Sequence, residues 1–358
     1  MMYGINGKFL ELIKNYLTGL TQSVRIVNNF SSPKSIKIGL PQGSLLGPLL
    51  CLFMLNDIPN ISNNFRTILY ADDTTLSFCC NNLSDAINLC NTELEKFHSW
   101  SVANKLSISP EQNKTYFIIH TYRNFDNETI DIQMNDVSLG RFEEGKFLGV
   151  TIDSKLKYIT HRNYVSNKIS KSSGIMRKLS KLKINVKILK QIYYCLVYPY
   201  LLYNCLSYTG TFNVHLHRIV ILQKRAIRII SGATYLAHTE PLFALHKILK
   251  FEDICRLSVG LYVFDHREIF LPANHNYNTR NSSNMQVSRS RLTITQNSIN
   301  VKGPNIWNSI PNEIQFSSTR ESVKYKYKIF LLSFYETIPE VVDVTPSNGS
   351  ADVVSIVP

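Results

Sequence analysis

The chain has 358 residues, of which 44% are hydrophobic and 11% aromatic, so it carries enough apolar material for a packed core, and wholesale disorder is excluded. At about 150 residues per domain, this length indicates two or three domains. Lys and Arg outnumber Asp and Glu by 39 to 26, a net charge of +13. This excess favours a polyanionic partner such as nucleic acid, with a membrane surface as the second choice.

The longest apolar runs, at 45–55 and 192–203, fall short of the roughly 18 residues that a membrane span needs, and each contains a proline. The N-terminal stretch predicts an amphipathic helix without the small-residue cleavage site of a signal peptide. Seven cysteines are an odd number, and no two have the C-x₂-C spacing of a zinc site. We therefore expect an intracellular chain, in the cytoplasm or nucleus, with reduced and buried thiols.

The periodicity of apolar residues predicts a mixed helix and strand order in the first 153 residues. In chain order, the predicted elements are a helix over 5–17, strands at 24–27 and 36–40, a tight turn at 41–44, a buried helix over 45–55, a hairpin over 67–78, a helix over 83–103 capped by Asn82, and strands at 115–120, 130–134, 137–142 and 146–152.

The pattern changes after Asp153. Residues 161–235 have helical periodicity and are strongly basic, and the chain from 236 onward is mixed. A polar stretch at 274–300, rich in Asn and Ser, predicts an exposed loop region.

Two adjacent carboxylates, Asp72 and Asp73, follow Tyr70 and Ala71 at the predicted tip of the hairpin. Neighbouring strand residues point to opposite faces, but a tight turn can aim both carboxylates at one volume. Their hard oxygen atoms suit Mg²⁺, and phosphoryl transfer with two Mg²⁺ ions needs carboxylates of this kind. The alternative is a turn dipeptide without chemistry, because Asp side chains bond to nearby backbone groups.

Several segments in a fixed order surround these carboxylates. They are GLPQGSLLGPLL at 39–50, Asn56-Asp57, YADD at 70–73, NKLSI at 104–108, NKT at 113–115, FLGVTID at 147–153, LQKRA at 222–226, Thr279-Arg280 and GPNIWN at 303–308. Together they resemble the reverse transcriptases of non-LTR (LINE-type, jockey-like) retrotransposons.

The resemblance implies an α+β fold, a partial right-hand polymerase palm in which an antiparallel sheet over 20–152 is backed by helices, followed by a helical thumb and a C-terminal region. The implied domains are an incomplete palm at 1–153, a thumb-like basic region at 154–235, a C-terminal extension at 236–337 and a flexible tail at 338–358.

The resemblance also implies an RNA-directed DNA polymerase, with an RNA template, a DNA primer and deoxynucleoside triphosphates as partners and no membrane. The implied site residues are Asp72 and Asp73 as Mg²⁺ ligands, Pro41, Gln42, Gly43, Ser44 and Tyr70 beside the nucleotide and template, Lys114 as proton donor or counter-charge for pyrophosphate, and Leu148 and Gly149 as backbone contacts of the primer end.

Ordinary structural roles remain open for several of these residues. The segment at 41–44 is also a typical strand-to-helix turn, Lys114 a typical solvated charge, and 147–153 a typical strand. The basic run at 155–190, with Arg225 and Arg228, is expected to neutralise phosphates of an RNA–DNA hybrid, although a solvated face has the same pattern. His215 and His217 are expected at the surface rather than on a metal.

A third carboxylate is expected in this family shortly upstream of the segment that Gly4 begins. Residues 1–56 contain one acid, Glu11, so the sequence is interpreted as a 5′-truncated copy or partial gene, inactive alone, whose missing strand and fingers a longer element-encoded protein supplies. A non-catalytic nucleic-acid-binding remnant and an unstable fragment remain as alternatives.

Overall fold

The computed structural model describes residues 4–36, 39, 43–109, 111, 114–121, 130–208, 216–272 and 284–335. The chain divides into two compact units. Unit 1 comprises 1–117 and 125–141, and unit 2 comprises 118–124 and 142–358. Helices and strands both occur, in agreement with the predicted α+β class, whereas the boundaries of the implied palm, thumb and C-terminal extension stay predictions.

Unit 1 contains three α-helices and ten short strands in its described residues. They are α1 (Gly7–Leu17), β1 (Thr21–Gln22), β2 (Arg25–Ile26), β3 (Asn29–Phe30), β4 (Lys34–Ser35), α2 (Leu46–Leu55), β5 (Arg66–Tyr70), β6 (Asp73–Ser77), α3 (Leu83–Ala103), β7 (Tyr116–Phe117), β8 (Gln133–Met134), β9 (Val137–Ser138) and β10 (Gly140–Arg141).

The strands differ from the predicted single antiparallel sheet over 20–152. Those described in unit 1 pair two by two, as β1–β4, β2–β3, β5–β6, β8–β9 and β7–β10, and the last pair is parallel. Most of these strands are two residues long, so each forms too few ladder hydrogen bonds to extend a sheet beyond its nearest partner. The predicted strand at 36–40 is replaced by β4, and 37, 38 and 40 lie outside the described residues.

The apolar helix α2 forms where it was predicted, but the expectation that it is buried is wrong. Gly47 is its buried residue, while Leu49, Leu52 and Met54 are 45%, 63% and 39% exposed. A helix that is apolar on every side needs cover all round. The described residues of unit 1 leave much of this helix in contact with solvent.

The small core of unit 1 joins α3, the segment around β8 and the start of the β5–β6 hairpin. Its buried apolar side chains are Phe65, Cys90, Leu94, Ile132 and Met134. The predicted cap of α3 is confirmed, because the Asn82 side chain accepts a hydrogen bond of 3.2 Å from the Ser84 amide.

Unit 2 begins with a hairpin and is then helical. Its described elements are β11 (Glu144–Phe147), β12 (Val150–Asp153), α4 (Ile159–Lys181), α5 (Val186–Leu196), α6 (Tyr198–Leu202), α7 (Cys205–Tyr208), α8 (His217–Ser231), α9 (Glu240–His246), α10 (Phe251–Asp265), α11 (Thr293–Gln296), α12 (Ile299–Asn308), α13 (Asn312–Gln315) and α14 (Arg320–Ser333). The single strand predicted at 146–152 is therefore a hairpin, and helices lie at the end of the loop predicted at 274–300.

One cluster of buried apolar side chains runs through the described helices of unit 2, from Val165 in α4 to Tyr335 after α14. It includes Ile227 of α8, Ile254 of α10 and Tyr327 of α14. The implied thumb-like region and C-terminal extension therefore share a core, and neither packs its apolar faces alone.

The cysteines are only partly as expected. All seven are free, but Cys79 and Cys80 after β6 and Cys195 on α5 are exposed, and Cys51 on α2 is half-buried. The helices in the described part of the chain include none long and apolar enough to cross a membrane.

Candidate functional site

The YADD segment forms the tip of the β5–β6 hairpin, as predicted. Tyr70 pairs with Asp73, so Ala71 and Asp72 make a two-residue turn in which Ala71 has a left-handed φ of 52°. Asp72 and Asp73 are both exposed, and the Tyr70 side chain is 65% exposed. A ligand therefore has open access to both carboxylates from solvent.

The hairpin is fixed to α3 at its base. Phe65 precedes β5 and Phe78 follows β6, so both lie at the open end of the hairpin, and their ring centroids are 5.3 Å apart. Asn64, next to Phe65, donates a hydrogen bond of 2.9 Å to Glu93 Oε1, and Lys96 Nζ lies 2.8 Å from the same oxygen. The hydrogen bonds to this carboxylate, chiefly the one from Lys96, lower the Glu93 pKa to about 2.

The donor atoms at the hairpin tip fit Mg²⁺ in type but not in number. Carboxylate oxygens are ligands that Mg²⁺ prefers. Within the described residues, no group of three or more His, Cys, Asp and Glu side chains could hold a metal ion. The hairpin tip by itself therefore presents two carboxylates, Asp72 and Asp73.

The predicted nucleotide and template turn is described in part, since Pro41 and Gln42 lie outside the described residues. Ser44 Oγ accepts a hydrogen bond of 3.0 Å from the Gly47 amide at the start of α2. Gly43 has a φ of 81°, and a Cβ there would meet no atom within 4 Å. The requirement for glycine is therefore its backbone conformation, not close packing.

Lys114 forms an exposed ion pair within its own segment, with Nζ 3.1 Å from Glu111 Oε2. Both side chains are more than half exposed, so the pair contributes little to stability and leaves the ammonium group accessible.

Leu148 and Gly149 are the two turn residues of the β11–β12 hairpin, with φ values of 45° and 83°. The hydroxyl of Tyr203 donates a hydrogen bond to the Leu148 carbonyl, and the Tyr203 ring would lie 3.7 Å from a Cβ at position 149. At the other end of β12, the Asp153 carboxylate accepts hydrogen bonds from the amides of Lys155, Lys157 and Tyr158. The FLGVTID segment is therefore a hairpin tied into unit 2.

The basic helices contain a feature that the sequence alone did not reveal. A cleft of about 230 Å³ lies between the C-terminal halves of α4 and α8. Its charged lining residues are Arg177, Lys181, Arg225 and Arg228, and Tyr235 completes one side. No Asp or Glu occurs from 154 to 239, a span that contains 15 of the 39 Lys and Arg residues. This absence of acids is the sequence signal that could have pointed to the cleft.

The LQKRA and GPNIWN segments have structural roles. Gln223 Nε2 donates to Tyr193 Oη and to the Leu249 carbonyl, both at 2.9 Å, and Oε1 accepts from the Phe251 amide at 2.8 Å. Asn308 Oδ1 accepts from the Met285 amide at 2.8 Å while its Nδ2 donates to the Met285 carbonyl at 2.9 Å. These amide side chains hold helices and loops of unit 2 together.

One of the four remaining predicted positions is described. His217 is exposed at the start of α8, as expected, and His215, Thr279 and Arg280 lie outside the described residues.

Comparison with known proteins explains the order of these segments. Residues 2–152 match the family model for reverse transcriptase (RNA-dependent DNA polymerase). The resemblance to non-LTR retrotransposon reverse transcriptases is confirmed. Among curated relatives, the RNA-directed DNA polymerase from mobile element jockey of Drosophila funebris is 29% identical over 70% of this chain and 28% of its own length.

Two further relatives are similar to the same extent. The probable RNA-directed DNA polymerases from transposon BS and transposon X-element of Drosophila melanogaster are 27% and 26% identical, over 63% and 69% of this chain. The chain spans about a quarter of the length of these relatives, 26% and 27% respectively. No solved structure matches the chain.

Proposed function

We propose that this chain is part of an RNA-directed DNA polymerase of a non-LTR retrotransposon, acting inside the cell on an RNA template, a DNA primer and deoxynucleoside triphosphates. The observation that carries this proposal is the exposed YADD hairpin within a segment that matches the reverse transcriptase family. The basic helices of unit 2 support it, since they suit the phosphates of an RNA–DNA hybrid.

In this proposal the chain's residues bind and orient the reactants. Asp72 and Asp73 hold metal at the hairpin tip, where bound Mg²⁺ would lower the pKa of the primer hydroxyl and offset the charge of the departing pyrophosphate. The turn at 41–44 and Tyr70 contact the nucleotide and the template base. Lys114 places a charge near the pyrophosphate, and the turn at Leu148 and Gly149 contacts the primer end.

We further propose that the 358 residues do not polymerise by themselves. The first Asp is Asp57, and two-metal transfer needs its ions held at a separation of about 3.5–4 Å, for which two carboxylates at one hairpin tip are an incomplete set. The third carboxylate and the fingers would come from residues outside this sequence, in a longer protein of the element.

A primer-extension assay tests both statements. Purified residues 1–358 should give no incorporation with Mg²⁺ and a primed RNA template. The same residues preceded by the corresponding upstream segment of the jockey relative should extend the primer, and Asp72→Asn or Asp73→Asn should abolish extension, because an amide carries no charge and is a poor Mg²⁺ ligand.

The matched control is Asp85→Asn, an exposed carboxylate in the first turn of α3. This variant should extend the primer at the rate of the unchanged longer protein. Incorporation that survives Asp73→Asn would overturn the proposed catalytic role of the hairpin, and incorporation by residues 1–358 alone would overturn the proposed inactivity.

A second candidate function is nucleic-acid binding without turnover. The acid-free basic span from 154 to 239 favours it, since this span needs no metal site to bind phosphates. Log affinity should then fall roughly linearly with log salt, by about 0.9 per neutralised phosphate on a duplex. A salt series of binding constants measures this slope, and no binding at low salt would exclude a nucleic-acid role for these helices.

A further inference from the structure

The cleft between α4 and α8 is built from cationic side chains on two packed helices. Arg177 and Lys181 are four residues apart on α4, so they lie on one helix face. Arg225 lines the same cleft from α8, and the turn at Gly232 and Ala233 closes it after α8 ends. Its volume of about 230 Å³ is several times the roughly 30 Å³ that a water molecule occupies in the liquid. The cleft can therefore hold a group larger than a single solvent molecule.

The positive charge of this cleft is not balanced by acidic residues in its lining. The residues that line it include no Asp or Glu among the described positions. The four cationic side chains therefore face one volume without a carboxylate in its lining. An anionic oxygen bound in the cleft would be attracted by several of these cations at once.

An aromatic surface borders the cationic residues. Arg228 Nε donates a hydrogen bond of 2.9 Å to the Ala237 carbonyl, and the Arg228 guanidinium lies 5.9 Å from the centroid of the Tyr235 ring. This contact holds the segment after α8 beside the cleft while Tyr235 remains 75% exposed. Exposed aromatic rings beside cationic grooves are stacking surfaces for the bases of single-stranded nucleic acid.

We propose that this cleft binds a backbone phosphate of single-stranded RNA or DNA and that Tyr235 stacks on a neighbouring base. The proposal deepens the proposed function and rests on the nucleic-acid binding stated there. Arg177, Lys181 and Arg225 supply the charge and hydrogen bonds to the phosphate. Arg228 orients Tyr235. A duplex keeps its bases stacked within the helix, so Tyr235 distinguishes single strands from duplexes.

Fluorescence anisotropy with residues 1–358 tests the site. The probes are a labelled oligo(dT), an unstructured RNA of the same length and a DNA duplex, each titrated at several salt concentrations. Arg177→Ala/Lys181→Ala should weaken single-strand binding at least tenfold and reduce the salt slope by about 0.7 for each phosphate that the variant no longer neutralises. Tyr235→Ala should weaken single-strand binding roughly tenfold, leave the salt slope unchanged and leave duplex binding unchanged.

The matched control removes the same charge from the same helix outside the cleft. Lys171→Ala/Lys178→Ala removes two exposed lysines from α4. Its fold loss of single-strand affinity should be less than a third of that caused by Arg177→Ala/Lys181→Ala. Arg177 and Lys181 are also exposed, so both double variants should keep the thermal unfolding midpoint of the parent chain. An equal loss in the two double variants would overturn the proposal, because binding would then follow net charge rather than the cleft.

The remaining outcomes separate this proposal from the proposed function. No binding of any probe at low salt would count against nucleic-acid binding by the chain as a whole. Unchanged single-strand affinity in Tyr235→Ala would overturn the stacking role alone. Inorganic triphosphate and an unlabelled strand are compared as competitors at equal phosphate concentration. Equal displacement of the labelled oligonucleotide would identify a free polyphosphate site and overturn the assignment to a nucleic-acid backbone.

Discussion

The hydroxyl of Tyr203 donates a hydrogen bond to the carbonyl of Leu148, which precedes it by 55 residues. Leu148 has a left-handed φ of 45°, a conformation that a branched apolar residue rarely adopts without support. The tyrosine therefore anchors the turn of the β11–β12 hairpin to the helices of unit 2.

Replacement of Tyr203 by phenylalanine should destabilise this anchor without changing the ring. We expect Tyr203→Phe to lower the free energy of unfolding by about 0.5–1 kcal/mol, because one partly exposed hydrogen bond is removed. Urea unfolding followed by circular dichroism measures the change. The control is Tyr235→Phe, whose side chain is 75% exposed and should leave the unfolding curve unchanged. Equal curves for Tyr203→Phe and the parent would mean that the anchor contributes nothing.

Gln223 should be among the most sensitive polar positions of unit 2. It is 1% exposed and bonds to Tyr193, Leu249 and Phe251. Gln223→Leu removes the Gln223 hydrogen bonds to three buried groups, each at a cost of roughly 1–3 kcal/mol, so we expect a loss of at least about 3 kcal/mol. Gln191→Leu on the exposed face of α5 is the matched control and should change stability by less than about 0.5 kcal/mol. Chemical denaturation of both variants decides, and comparable losses would contradict the role of Gln223.

Glu93 makes the stability of unit 1 depend on pH in the acid range. Its pKa is lowered from 4.5 to about 2 in the folded chain, chiefly by the hydrogen bond from Lys96. Since the folded pKa lies below the unfolded one, this stabilisation is fully present above about pH 4.5 and is lost as the pH falls towards 2.

We expect Glu93→Gln to be less stable than the parent at pH 7 and to lose less further stability between pH 4.5 and 2. Glu95→Gln, an exposed neighbour on α3, should keep the parent profile. Thermal unfolding of the three proteins across this pH range is the measurement, and parallel profiles for the parent and Glu93→Gln would refute the assignment.

Replacement of Lys114 distinguishes a catalytic role of this residue from that of a solvated surface charge. Its ion pair with Glu111 is exposed, so Lys114→Ala should change the unfolding free energy by less than about 1 kcal/mol. In the longer protein of the proposed primer-extension assay, the same change should lower the rate of nucleotide incorporation and alter its pH profile, while the affinity for primed template stays the same. Lys105→Ala is the control on a nearby exposed lysine. An unchanged incorporation rate in Lys114→Ala would leave the solvated charge as its only role.

The sequence predicted those features that depend on local patterning. The alternation around YADD predicted a hairpin over 67–78 with an acidic turn, and Asn82 was recognised as the cap of α3, because both follow from contacts between near neighbours. The FLGVTID turn was missed, since Leu148-Gly149 is not a usual turn pair and Tyr203, which supports it, lies far along the chain.

The parts of the site that depend on packing could not be predicted in this way. The cleft joins Arg177 to Arg225 through the contact of α4 with α8, and nothing in the spacing of either helix reveals that they are neighbours. The exposure of α2 was missed for a related reason. Its apolar composition indicates that the helix needs burial on every side, but it does not identify the residues that would bury it.

The absence of acidic residues from 154 to 239 also has a thermodynamic consequence for the protein itself. Fifteen cations within one folded unit repel one another, and this repulsion opposes the compact state. Added salt screens the repulsion between exposed charges, so higher ionic strength should stabilise the folded protein. A polyanion that bound these helices would shift the folding equilibrium in the same direction, since a ligand that binds only the folded chain raises its melting temperature according to the ligand's concentration and affinity.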